Sequence, residues 1–223
     1  VDILNLSIGG PDWLDKPFTE KIMELSANRI VVVSAIGNDG PLWGTLQNPA
    51  DQMDVIGVGG MKSDNSMADF SSRGMSTHEL PRGYGRVKPD VVVYSDHLRS
   101  SDRTPSGGCK TLSGTSVASP VVTGAVTLLM STVPKAERAS VVNPASMKQI
   151  LVETATRNRA AGGIFEQGMG KMNVLGALDM LNRLRASGPL VTLHPSSLDM
   201  SRDACPYMWP LCSQPLYYSA MPL

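Results

Sequence analysis

Apolar positions along this chain fall into short blocks separated by glycine- and proline-rich turns. Ile3, Leu4, Leu6 and Ile8 make a strand within residues 1–9, stopped by Gly9-Gly10-Pro11. Asp15 and Pro17 then precede Phe18, Ile22, Met23 and Leu25, whose spacing predicts a helix over 16–28. Ile30 to Ile36 is a nearly continuous β-branched run, the pattern of a strand buried on both faces. Val55 to Val58 is another short strand, closed by Gly59-Gly60. Residues 61–112 are looser and contain the apolar run Val91-Val92-Val93. From Ser113 the chain enters a helix carrying Val117, Val121, Val122, Ala125, Leu128 and Leu129, apolar nearly all round and hence a core helix, with Pro120 in its first turn. Further helices are expected over 144–158 and 174–185. Strand, helix, strand, strand with two-sided burial predicts an α/β fold with a mostly parallel sheet.

The composition shifts to Pro, Ser, Tyr and Cys after Gly188. Residues 1–187 are therefore expected to form one unit, with 188–223 the start of a following segment. Lys plus Arg equals Asp plus Glu at 20 each, so no charge excess points to nucleic acid or a membrane surface. No apolar run approaches the roughly 20 residues that span a bilayer. The chain opens on Val1-Asp2-Ile3, inside a strand pattern, which suggests a fragment. Cys205 and Cys212 bracket a proline-bounded loop and could pair in an oxidising compartment or stay reduced; Cys109 is left over.

Two places carry candidate chemistry. Ser116 stands at the start of the helix, where its hydroxyl is exposed among small neighbours and its own N–H lies at the positive end of the helix dipole. An ordinary N-cap serine has the same local sequence. Asn38 follows the buried strand directly; its amide is a neutral donor able to hold an oxyanion, although a turn asparagine before Asp39-Gly40 fits equally. Together the two point to acyl transfer, with Ser116 as nucleophile. A base is then needed. His78 and His97 lie in polar loops. His194, with Asp179 or Asp199 as orienter, has the chain order of an α/β-hydrolase, but Gly114-x-Ser116-x-Ala118 lacks the second glycine of that elbow.

Gly114-Thr115-Ser116-Val117-Ala118-Ser119-Pro120 resembles the nucleophile motif of the subtilases. Ala35-Ile36-Gly37-Asn38-Asp39-Gly40 is similar to their oxyanion-asparagine segment, and Asn5-Leu6-Ser7-Ile8-Gly9-Gly10 to the strand that pairs with substrate. Phe70-Ser71-Ser72-Arg73-Gly74 and Lys88-Pro89-Asp90-Val91 also resemble family segments, in the right order. Residues 48–60, 72–75, 83–86, 143–149 and 205–210 narrow the likeness to a membrane-bound branch of the family that processes membrane-anchored precursor proteins.

The resemblance implies a subtilisin-like three-layer fold, followed by a β-rich segment. It implies a serine endopeptidase with Ser116 and Asn38 catalytic and Ser7, Ile8 and Gly9 binding substrate. It further implies protein substrates cut after Arg-x-hydrophobic-(Leu or Lys) in the Golgi or endoplasmic reticulum lumen, a membrane anchor in the full-length protein, and calcium in the full enzyme. No cofactor is assigned to this chain. The family's Asp and His precede the substrate strand and have no counterpart here, so the chain alone is expected to be inactive. Alternatives are a catalytically dead relic that binds peptides by strand addition, and a cytosolic α/β protein without catalysis. Asn5-Leu6-Ser7 is formally a glycosylation sequon, expected to be buried and unmodified.

Overall fold

The computed structural model describes residues 1–10, 16–74, 86–102, 104 and 107–187. Four parallel strands, β1 (Ile3–Leu6), β2 (Val31–Ala35), β3 (Val55–Met61) and β4 (Val91–Tyr94), lie in the order β1-β2-β3-β4. The register pairs Leu4 with Val32, Val32 with Val55 and Val58 with Val91. Helix α1 (Lys16–Ala27) links β1 to β2. After β4 the chain makes an antiparallel hairpin, β5 (Leu98–Ser101) and β6 (Cys109–Leu112), then enters α2 (Thr115–Ser131). Short α3 (Arg138–Val141), α4 (Pro144–Thr154), a 3-10 turn (Arg159–Ala161), α5 (Ile164–Gln167) and α6 (Val174–Ser187) complete the described part.

The β-branched run of β2 is buried at every position because the sheet is covered on both faces. Val31 and Val33, with Ile56, Val58, Val91 and Val93, pack against Val122, Val126 and Leu129 of α2, joined by residues of α4 and α6. Val32 and Val55 turn to the other face and meet Ile22 and Leu25 of α1. Helix α4 starts as its sequence dictates, with Pro144 at N1 and a reciprocal Asn143–Ser146 capping box.

Four expectations need correction. Strand β3 runs through Gly59 and Gly60 rather than stopping there. A Cβ on Gly59 would sit 2.8 Å from Pro89 Cγ, and one on Gly60 2.2 Å from Ser95 Oγ, so close packing, not a turn, calls for these glycines. Helix α4 ends at Thr154, since Thr156 exchanges both backbone hydrogen bonds with Lys171, at 2.8 and 2.9 Å. Helix α2 is not buried all round: Val121 and Leu128 are 42% and 59% exposed, on the side away from the sheet. Pro120 is its sixth residue and not in the first turn. The β5–β6 hairpin was not expected at all, because its polar residues lack an apolar alternation.

One charged cluster is buried within the fold. Asp90 Oδ2 accepts from Lys88 Nζ at 2.8 Å and from the Gly57 N–H at 2.7 Å, while Asp90 Oδ1 pairs with Lys148 Nζ at 2.9 Å. Both ammonium groups also reach the Val55 carbonyl, at 2.8 and 3.1 Å. Burial pushes the Lys88 ammonium down to about 7 despite its carboxylate partner. Asp90 is held below its ordinary value: burial opposes its charge, but Lys148 and Lys88 outweigh that cost.

Candidate active site

The carboxyl ends of β1 and β2 and the first turn of α2 meet at one edge of the sheet. Gly114, buried and at φ 141°, is the backbone corner into α2. Only glycine adopts that conformation readily, and a Cβ there would stand 3.5 Å from Asn38 Nδ2. Val117 and Ala118 return their N–H groups to Gly114 O at 2.9 and 3.3 Å. The Ser116 N–H has no acceptor among the described residues and lies at the helix N-terminus. The Ser116 side chain is exposed.

Asn38 is oriented by Thr115. Its Oδ1 accepts from the Thr115 backbone N–H at 2.8 Å and from Thr115 Oγ1 at 2.9 Å. A backbone N–H can only donate, so the atom facing it must be the amide oxygen, and this fixes the orientation of the group. Asn38 Nδ2 is left beside Gly114, exposed and with no protein acceptor among the described residues. Thr115 Oγ1 is anchored in turn on Gly37, 3.1 Å from its carbonyl and 3.3 Å from its amide nitrogen. Two neutral donors, one backbone and one side chain, thus flank an exposed hydroxyl. That arrangement can stabilise charge developing on a carbonyl oxygen.

Ser7 ties the end of β1 to the helix. Pro120 has no N–H to offer the Ser116 carbonyl four residues back, and Ser7 Oγ donates to that carbonyl instead at 3.0 Å. Ser116 Oγ lies 3.4 Å from Ser7 O. Ile8 is 55% exposed, and the backbone groups of Ile8 and Gly9 have no partner among the described residues before Gly10 pairs with Asn48. This free edge can accept an extended peptide. Asn5 sits behind it, donating to Ser7 Oγ at 3.0 Å and accepting from Ser119 and Thr123 at 2.7 and 3.0 Å. Both ends of the sequon amide are therefore engaged.

The structure brings together Ser116, Asn38 and Ser7-Ile8-Gly9, all singled out from sequence. The role of Thr115 as the brace of Asn38 was missed, and so was the Pro120–Ser7 relation, although both residues stand within or beside the recognised motifs. Among the described residues no histidine bonds Ser116. His97 is 81% exposed and pairs through Nδ1 with Asp96 at 2.9 Å. His78, His194, Asp199, the Cys205–Cys212 pair and the segment 188–223 lie outside the described residues. Cys109 is exposed and free. For calcium, no three His, Cys, Asp or Glu side chains converge among the described residues.

A parallel α/β sheet that brings such a serine, asparagine and free strand edge together matches the subtilase architecture, and residues 1–170 match the subtilase family directly. The chain belongs to that family. It is 59% identical over 222 residues to human "Membrane-bound transcription factor site-1 protease", covering 100% of this chain and 20% of that protein. It is 57% identical over 223 residues to "Subtilisin-like protease SBT6.1" of Arabidopsis thaliana, covering 100% of this chain and 21% of that protein. The chain thus spans about one fifth of the length of these curated relatives. The solved structure of "Prenylagaramide maturation protease PagA" superposes with a TM-score of 0.66 at 28% identity, covering 81% of this chain and 62% of that one. Residues 194–223 match a second family, described as "MBTPS1, third Ig-like domain".

Proposed function

We propose that this chain is the nucleophile-bearing part of a serine endopeptidase that resembles site-1 protease and processes membrane-anchored precursor proteins. The observation that carries the proposal is the pinned amide of Asn38: Thr115 holds its oxygen and leaves its nitrogen free beside the exposed Ser116. A substrate strand adds to the backbone of Ser7, Ile8 and Gly9. Ser116 Oγ attacks the scissile carbonyl carbon, and its proton passes to a base from a segment outside residues 1–223. The carbonyl electron pair moves onto oxygen, where Asn38 Nδ2 and the Ser116 N–H receive it. Collapse breaks the C–N bond, and the amine leaves with a proton. Water then hydrolyses the acyl-serine.

On this reading residues 1–187 are the C-terminal part of the catalytic domain, and 188–223 begin the region after it. The matches over 1–170 and 194–223 support that division. The working compartment is the Golgi or endoplasmic reticulum lumen, with an anchor elsewhere in the full-length protein; the membrane-bound relatives support this. Among the described residues no helix is long and apolar enough to cross a membrane. Calcium binding is proposed only for the full enzyme.

The test is cleavage of a peptide substrate by the full-length protein. Ser116→Ala is expected to lower kcat about a millionfold, the scale seen when a subtilisin loses its triad serine. Asn38→Ala is expected to lower it about 100–1000-fold with little change in KM, again the scale known from a subtilase. Retained activity in Ser116→Ala overturns the assignment. A second reading, the peptide-binding relic, is favoured by the free backbone of Ile8 and Gly9. It predicts peptide binding with no turnover in the full-length protein.

A further inference from the structure

We propose that Asp96 is a positioning residue for Ser116, acting through Ser113; the inference rests on the nucleophile reading of Ser116. The chain leaves β4, turns at Ser95-Asp96-His97, runs out along β5 and back along β6, and arrives at Ser113. Among the described residues, strands β5 and β6 pair only with each other, and most of their residues are exposed. An isolated two-stranded ribbon of this kind is marginal by itself, so it cannot fix the chain it hands to α2.

The root of the ribbon is fixed by a small network. Ser113 Oγ donates to Asp96 Oδ1 at 2.8 Å and accepts from the His97 backbone N–H at 2.8 Å. His97 Nδ1 approaches the same Asp96 Oδ1 at 2.9 Å, and the Gly114 N–H donates to Ser95 O at 3.0 Å. His97 is held at φ 54°, a conformation that residues with a Cβ rarely adopt. The Asp96 carboxyl lies below its ordinary range, chiefly through the Ser113 hydroxyl, with burial opposing and His97 and Lys62 assisting. Lys62 is itself paired with Asp69 at 2.8 Å.

The network matters because of Gly114. This residue has no side chain with which to hold the corner; its N–H rests on Ser95 O and its carbonyl on the first turn of α2, and it separates Ser113 from Thr115, which is pinned to Asn38. Ser113 is the matching pin on the other side. With both in place the corner has one conformation, and the Ser116 hydroxyl keeps one position relative to Asn38 Nδ2. Freeing Ser113 leaves the corner on this side held by the Gly114–Ser95 bond alone, so the corner shifts and the hydroxyl is misplaced, which reduces turnover more than binding.

The experiment uses the full-length enzyme, with kcat and KM measured separately for Asp96→Ala, Asp96→Asn, Ser113→Ala and the double alanine variant, and Ser116→Ala alongside. The expected result is a roughly tenfold fall in kcat for Asp96→Ala and for Ser113→Ala with KM within about twofold. The double variant should be no worse than either single one. Asp96→Asn, whose amide oxygen still accepts from Ser113, should recover most of the loss. If Asp96→Ala does not fold, the same prediction is read from Asp96→Asn near wild type against Ser113→Ala impaired. Unchanged kcat in both Asp96→Ala and Ser113→Ala, or additive losses that Asp96→Asn does not rescue, overturns the positioning role while Ser116→Ala stays inactive. An active Ser116→Ala overturns the nucleophile reading and this inference together.

Discussion

Two polar clusters are built on the same four-stranded sheet, and they are finished differently. At Lys88, Asp90 and Lys148 the charges are matched inward: Asp90 receives two ammonium groups and one backbone N–H, and both lysines also reach the Val55 carbonyl. At Asn38, Thr115 and Ser116 the bonding stops half-way. The Asn38 oxygen is used twice, whereas its nitrogen and the Ser116 N–H keep free donors at the surface. A buried cluster must satisfy its groups, because an unpaired charge there costs several kcal/mol. A cluster built for a transition state must leave donors for charge that is not yet present. The difference separates a structural clamp from the proposed reaction site without reference to either sequence motif.

The comparison can be broken at each cluster in turn. The larger expected effect on stability is at the clamp. Asp90→Ala strands two cations and should destabilise the sheet by about 3–5 kcal/mol, seen as lost hydrogen-exchange protection in β3 and β4 of the full-length protein. Folded molecules of this variant should keep their kcat. The pH dependence has two parts of the same sign, in separate windows. Asp90 is depressed below 3.8, so its contribution is present above that value and lost as pH falls through its folded value. Lys88 is depressed from 10.5 to about 7; between those values the unfolded chain holds a proton that the folded chain lacks, so stability climbs with pH across that window. The smaller effect is at the reaction site. Thr115→Val keeps the backbone bond to Asn38 and loses the hydroxyl's contacts with Asn38 and Gly37; the Asn38 contact is worth about 1 kcal/mol or roughly fivefold in kcat, with protection of β3 and β4 unchanged.

The core of the fold was legible because burial on two faces writes itself as β-branched runs, as at Val31 to Ala35. Ser116 and Asn38 were legible through their combination and the motifs around them, because a serine at a helix start and an asparagine before Asp-Gly are each common for ordinary reasons. What was not legible depends on contacts across long stretches of chain. Ser7 and Ser116 are 109 positions apart, and nothing local shows that Pro120 releases a carbonyl for Ser7 to claim. Gly59 and Gly60 were misread because a turn and a close approach of backbones call for the same residue. The exposure of Val121 and Leu128 was missed because an apolar residue carries no mark of which face it takes.

The central claim is that Ser116 is an activated nucleophile in the intact protein. Treating full-length protein with a fluorophosphonate and mapping the adduct by peptide mass tests it directly. The account predicts a single adduct on Ser116, absent after denaturation before treatment and absent in Ser116→Ala. No adduct, or an adduct on another residue with Ser116 unmodified, contradicts it.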